Sequence, residues 1–93
     1  MSSEDLETLL DITLGSKLAA EVMWESDGDA YASAEALKRR ATALLAPYRS
    51  HHGGKGYGTA RKNAHRMQLV ARVIDEVIYD FDEELDVELA RTA

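Results

Sequence analysis

The spacing of apolar residues along the chain predicts a protein built from helices. Apolar residues recur three and four positions apart over long stretches, and no stretch alternates apolar and polar residues for long enough to indicate a strand. The pattern predicts a single all-α domain over residues 1–93, a small bundle or hairpin of three helices. We expect these helices at about 3–25, 30–46 and 59–89, with a glycine-rich loop at 50–58.

The first predicted helix changes its apolar side near Gly15 and Ser16. Apolar residues before this point lie on one side of the helix, and those after it centre on the opposite side. Either both sides are covered by other helices, or the helix bends or breaks there. Ser2 or Ser3 is placed to cap the start of the helix, and Trp24 near its end is expected in the core.

A narrow seam, made largely of alanine, runs along the second predicted helix. Its small side chains would let another helix approach closely, and Pro47 is expected to end the helix or to kink its last turn. The seam positions follow a repeat of four and three residues and are Ala30, Ala34, Leu37, Ala41, Leu44 and Tyr48.

The third predicted helix carries the longest repeat, and its length predicts a second copy of the chain. It would be about 45 Å long, which is more than the two shorter helices would obviously cover. We therefore expect a homodimer through this helix, with the copies antiparallel about Ile74. The alternative is a break near 80–82 that folds the end of the helix back. The expected interface positions are Met67, Ala71, Ile74, Ile78, Phe81 and Leu85.

Charged residues are sorted into blocks. The chain has 11 Lys and Arg against 17 Asp and Glu, a net charge of −6. Residues 38–72 contain nine basic residues and all three histidines but no acid, whereas residues 1–37 and 73–93 are acidic. A hairpin of helices would therefore have a basic pole at the glycine-rich loop and an acidic pole at the far end. The basic residues lie at the start of the third helix and the acidic residues at its end, which is unfavourable for the helix dipole. We therefore expect this charge distribution to serve recognition of a partner. The alternative is that the acidic run only keeps an exposed helix end in solvent.

The stretch from Arg49 to Lys62 has the character of a binding site. Its glycines free backbone N–H groups just before a helix begins, and basic side chains flank them, which suits an anion or a phosphate group. The glycine spacing matches neither a Walker A loop nor G-x-G-x-x-G, and no strand precedes it. The alternative is that the loop only connects two helices. The expected partner- or anion-binding residues are Arg49, Lys55, Arg61, Lys62 and Arg66.

Other kinds of chemistry are not expected from the composition. The absence of cysteine excludes disulfides, Cys-ligated zinc and a thiol nucleophile. His51, His52 and His65 form a weak set of metal ligands, so we expect no metal, no cofactor and no enzymatic activity. No apolar run approaches the roughly 20 residues of a membrane span and no signal-peptide pattern opens the chain, so we expect a cytoplasmic protein without membrane contact.

These observations predict a non-enzymatic interaction protein, such as a regulator, adaptor or inhibitor of a larger complex. It would bind an anionic partner through the basic loop and the start of the third helix, and a protein partner is favoured. One alternative is a nucleic-acid-binding accessory protein, in which Tyr48 and Tyr57 could stack on bases. The other is a protein whose acidic arms mimic nucleic-acid charge and bind a basic target.

Overall fold

Helices account for all the regular secondary structure of the residues that the structure describes. The computed structural model describes residues 1–48 and 54–92, and it gives only the course of the backbone for residues 79–89 and 92. The all-α fold and the long C-terminal helix predicted from the sequence are confirmed. The elements in chain order are α1 (Ser3–Leu14), α2 (Ser16–Ser26), α3 (Ala30–Leu45), a 3-10 turn (Ala46–Tyr48) and α4 (Tyr57–Thr92).

Gly15 separates the first predicted helix into two helices. Its φ angle of +91° lies in a region that only glycine adopts without strain, and its N–H donates to the carbonyl of Asp11 at 3.0 Å, which ends α1. The chain then turns back, so that the Ser3 hydroxyl at the start of α1 donates to the carbonyl of Gly28, just beyond α2, at 3.3 Å. A single helix over 3–25 is therefore wrong, and the change of apolar side marked the turn between α1 and α2.

Polar caps and a proline set the other helix ends. The Ser2 hydroxyl accepts from the N–H of Asp5 at 3.2 Å, as the sequence predicts for the start of α1, and the Asp29 carboxylate accepts from the N–H of Ala32 at 2.8 Å at the start of α3. Pro47 lies in the 3-10 turn that follows α3, as expected.

Helix α4 is longer than predicted at both ends. It begins at Tyr57 and ends at Thr92, a length of 36 residues. Arg61 and Lys62 therefore lie in its second turn, and Arg91 is the charged residue of its last turn. Because the field of the helix dipole falls off within one turn, the dipole opposes these charges less than the sequence suggested.

The core is centred on the contact between α3 and α4, which lie antiparallel. Alanines of both helices are buried in this core, and leucine, alanine and valine side chains from the hairpin of α1 and α2 complete it. The buried apolar residues of the core are Leu6, Leu10, Ala19, Val22, Ala34, Leu37, Ala41, Ala64, Met67, Val70, Ala71 and Ile74.

The seam that the sequence assigned to a dimer is largely filled by the chain's own helices. Met67 is 8% exposed, and Ala71 and Ile74 are fully buried. Ile78 is partly buried against the same core. These residues therefore hold α4 within one copy of the chain. The side chains of Phe81 and Leu85, the other two predicted interface positions, lie outside the described residues.

Trp24 is not part of the core, so this expectation is wrong. The side chain is 89% exposed, whereas Val22 on the opposite side of α2 is fully buried. Residues 22–24 are three consecutive apolar residues. Because α2 is a separate helix that begins at Ser16, the apolar pattern alone does not show which of the three faces the core.

Two arginines of α3 bind acidic residues of α2. Arg40 donates to Glu21 at 3.3 Å and to Glu25 at 3.1 Å, and Arg39 donates to the other carboxylate oxygen of Glu25 at 3.1 Å. Hydrogen bonds from Arg39 and then from Arg40 lower the pKa of the Glu25 carboxyl below its ordinary value. This cluster ties α2 to α3 on the outside of the molecule.

Lys38 joins α3 to α4 in the same way. Its ammonium group lies 2.8 Å from the Asp75 carboxylate and 3.2 Å from that of Glu35. Hydrogen bonds to Asp75 and then to Glu35 raise the pKa of Lys38. The three adjacent cations at 38–40 are thus paired with acids of the same chain.

A pair of substitutions tests which apolar residues form the core. We expect Ile74→Ala to lower the free energy of unfolding by about 2–5 kcal/mol, because it leaves a cavity at a fully buried site. Trp24→Ala should change it by less than about 0.5 kcal/mol, because the indole is in water. Urea unfolding followed by circular dichroism measures both. An equal loss in the two variants would contradict the assignment of Trp24 to the surface.

The Glu25 cluster predicts a pH-dependent contribution to stability. Because folding lowers the pKa of Glu25 from its ordinary value of 4.5, the contribution is present above that value and is lost as the pH falls through the pKa of the folded state. We expect Glu25→Gln to lower the melting temperature at neutral pH, and this difference to shrink progressively as the pH falls below 4.5. Glu7→Gln, at an exposed position without an ion pair among the described residues, is the control and should change little over the same pH range.

Candidate anion-binding groove

An open groove lies where the end of α3 meets the start of α4. Its volume is about 590 Å³. One wall carries an apolar side chain from the last turn of α3, and the other is the first three turns of α4. The lining residues are Leu45, Tyr57, Gly58, Arg61, Lys62, His65 and Gln68.

Hydrogen bonding and ring contact fix the end of the connection that leads into this groove. The Tyr48 hydroxyl donates to the carbonyl of Lys55 at 3.1 Å, and the rings of Tyr48 and Tyr57 lie 5.6 Å apart between centroids. Gly56 has a φ angle of +87°, and a Cβ atom there would lie 2.9 Å from the Tyr48 hydroxyl oxygen. The approach of Tyr48 to the backbone at 55–56 therefore requires glycine at this position.

The groove has a positive charge that none of its lining residues neutralises. Its lining includes Arg61 and Lys62 but no Asp or Glu. Within the described residues neither of the two cations forms an ion pair, in contrast to the three cations at 38–40. A second, shallower depression borders Lys38 and Arg39, but the acids that bind these two side chains make it a poor site for an anion.

The structure brings together some of the predicted binding residues and separates others. Arg61 and Lys62 both line the groove. Arg66 and Lys55 are exposed but are not among the lining residues. Arg49 lies outside the described residues, so its part in the site stays a prediction.

Sequence reasoning missed several groove residues. His65 was considered only as a metal ligand, yet it lies one helical turn beyond Arg61 on the same side of α4. Gln68 continues this side by one further turn. The spacing 61–65–68 was a usable signal for a shared face, whereas the contribution of Leu45 depends on the packing of α3 against α4.

The described residues contain neither a metal-binding group nor a helix able to span a membrane. No group of three or more histidine and carboxylate side chains among them is placed to hold a metal ion. None of the helices in the same part of the chain has an apolar stretch that could cross a bilayer.

The lining side chains suit a carboxylate or a phosphate group. The guanidinium of Arg61 can donate two parallel hydrogen bonds to such a group, Lys62 adds a second positive charge, and Gln68 adds an amide donor. Leu45 provides an apolar contact beside them. No protein-family model, curated protein or solved structure matches this chain. Its function is therefore inferred from the groove itself.

Substitutions of two glycines test how Tyr48 fixes the connection that leads into the groove. We expect Gly56→Ala to destabilise the fold by about 1–3 kcal/mol, because alanine disfavours the positive φ angle and its Cβ would displace Tyr48. Gly58→Ala is the matched control. Position 58 is helical with nothing within 4 Å of a new Cβ, so alanine should stabilise the fold by about 0.4–1 kcal/mol. Thermal unfolding of both variants measures the difference in stability. An unchanged stability of Gly56→Ala would contradict the close contact between Tyr48 and the backbone at this position.

Proposed function

We propose that this protein is a non-enzymatic binding protein, an adaptor or inhibitor of a larger complex, and that it binds an acidic segment of a partner protein in the groove. The observation that carries the proposal is the pair of cations, Arg61 and Lys62, that line the groove with no acid among the described residues beside them. The cytoplasmic location expected from the sequence stays a prediction.

The mixed character of the lining favours a peptide segment over a lone inorganic anion. Leu45 and the ring of Tyr57 offer apolar surface next to the cations, and the groove is open along the helix. A segment with carboxylates beside an apolar side chain would use both kinds of contact. Arginine also binds carboxylates with a fixed geometry, which gives such an interaction specificity as well as strength.

The two alternatives have less support. Stacking on nucleic-acid bases needs free aromatic faces, but Tyr48 and Tyr57 contact each other. Binding of a basic target through acidic arms would lose part of its charge, because Glu21, Glu25 and Asp75 are bound by cations of the same chain. Both alternatives are distinguished from the proposal by the binding measurements below.

We also propose that the protein acts as a homodimer. Helix α4 extends 36 residues while α3, its main partner, has only 16, so much of α4 is available for a second contact. Because Met67, Ala71 and Ile74 are used within one copy, a dimer through α4 would need a different face of this helix.

Reversal of one groove charge tests the binding proposal. The probe is a fluorescently labelled peptide of glutamate and leucine residues, titrated with the protein at low ionic strength, and dT oligonucleotide is titrated in parallel. We expect Arg61→Glu to weaken peptide binding by at least about tenfold, because a carboxylate would then face the acidic probe. Added salt should weaken binding by the unmodified protein.

Arg72→Glu is the matched control for this test. Arg72 is exposed on the same helix, has no ion pair among the described residues and is outside the groove, and the change in net charge is the same. We expect a change of less than about threefold, since only the general field of the protein is altered. Equal effects at 61 and 72 would contradict a localised site, and tighter binding of the oligonucleotide than of the peptide would favour the nucleic-acid alternative.

A further inference from the structure

Helix α4 has a second apolar face that the chain leaves partly open. Leu69 is 43% exposed, Val73 is 44% exposed and Val77 is 37% exposed. These residues are spaced by four, so they form one row on the helix surface. The row is separate from the side that carries Met67, Ala71 and Ile74, which faces α3. It is also separate from Arg61 and His65 in the groove.

Charged residues extend this row symmetrically in both directions. Toward the N-terminus the row continues through Arg66 and Lys62, both exposed. Toward the C-terminus α4 runs on, and the sequence carries aspartate at 80 and glutamate at 84. The row as a whole is Lys62, Arg66, Leu69, Val73, Val77, Asp80 and Glu84, and its steps of 4-3-4-4-3-4 are the same in either direction from Val73.

We propose that a second copy of the chain packs on this row, with the two α4 helices antiparallel about Val73. In this register Val73 meets its own copy and Leu69 meets Val77. Arg66 falls opposite position 80 of the other copy and Lys62 opposite position 84, so each cation is in register with a position that the sequence fills with an acid. A two-fold axis creates each of these pairs twice, except that of Val73 with its own copy, which lies on the axis, as an isologous interface requires.

The self-complementary order of charge identifies the occupant. An unrelated amphipathic helix would need acidic and basic groups at matching positions, whereas a copy of α4 supplies them automatically. The parallel arrangement places cation against cation and acid against acid, which disfavours it. The proposal gives the proposed homodimer a specific surface, and it moves the axis from Ile74, which is fully buried, to the exposed Val73.

A charge-exchange experiment tests this interface. One variant carries Lys62→Glu and Arg66→Glu, so that its row is acidic at both ends, and the other carries Asp80→Lys and Glu84→Lys, so that its row is basic at both ends. Analytical ultracentrifugation at low ionic strength measures association of each chain of 10.3 kDa. We expect each variant alone to dimerise at least about tenfold more weakly than the unmodified chain. The equimolar mixture should form a heterodimer, because all four charge pairs are then complementary.

The control variant carries two charge reversals outside the row. Lys17→Glu with Arg72→Glu changes the net charge as much as the acidic variant does, but at exposed positions off the row, and dimerisation should be unchanged. Circular dichroism verifies that every variant is folded. If the acidic and basic variants each dimerise as the unmodified chain does, the row is not the interface even though a homodimer exists. If the unmodified chain stays monomeric, the proposed homodimer is also wrong, while peptide binding in the groove is judged by its own titration.

Discussion

The close contact between α3 and α4 is the constraint on which the rest of the molecule depends. Ala34, Ala41 and Ala71 are fully buried in this contact, and their small side chains leave room for Leu37 and Ile74, which are buried completely as well. This contact fixes the rotation of α4 about its own axis. Once that rotation is set, the directions in which all the other side chains of α4 point are set as well, including those of the groove and of the exposed row.

The same contact decides which charges are neutralised. Antiparallel packing brings Lys38 to Asp75, and the packing of α2 on α3 brings Arg40 to Glu21 and Glu25. These pairs are exposed and contribute little each to stability, but they remove the charges from any role in attracting a partner. Among the described residues, what is left of the basic block is Lys55 and four cations on α4, Arg61, Lys62, Arg66 and Arg72. The basic and acidic blocks of the sequence therefore form separate charged regions on the surface only in part, because some of their charges neutralise each other.

The sequence was sufficient to predict an all-α fold with a long last helix, but not what covers that helix. The 4-3 repeat identified the apolar side of α4 correctly, since Met67, Ala71 and Ile74 all lie on one buried face. It could not say whether α3 or a second copy covers that face, because both would bury the same residues. The repeat alone does not separate Leu69, Val73 and Val77, which are partly exposed, from the buried face. Their exposure becomes evident only when the positions of α1 and α3 are known.

Short helices were harder to predict for a related reason. Over 11 or 12 residues an apolar stripe contains only three or four positions. Two short helices separated at Gly15 therefore have nearly the same apolar pattern as one long helix that is covered on two sides. The conformation of Gly15 resolves this choice, and it also explains why Trp24 points outward: the axis of α2 is independent of that of α1. The groove was predictable in its charge, through Arg61 and Lys62, but not in its shape, which needs Leu45 from a helix that ends a dozen residues earlier in the chain.

Helix α4 can carry three separate contacts because they differ in helical phase. Steps of four and three residues keep the buried face on one side, steps such as 61–65–68 keep the groove on a second, and steps of 69–73–77 place the apolar row on a third. Lys62 lies at the boundary between the groove and the row. Under the two proposals its single charge would serve either an acidic partner or position 84 of the other copy, whereas Arg61 belongs to the groove alone and Arg66 to the row alone. The two contacts are consequently linked at one residue and independent at the others.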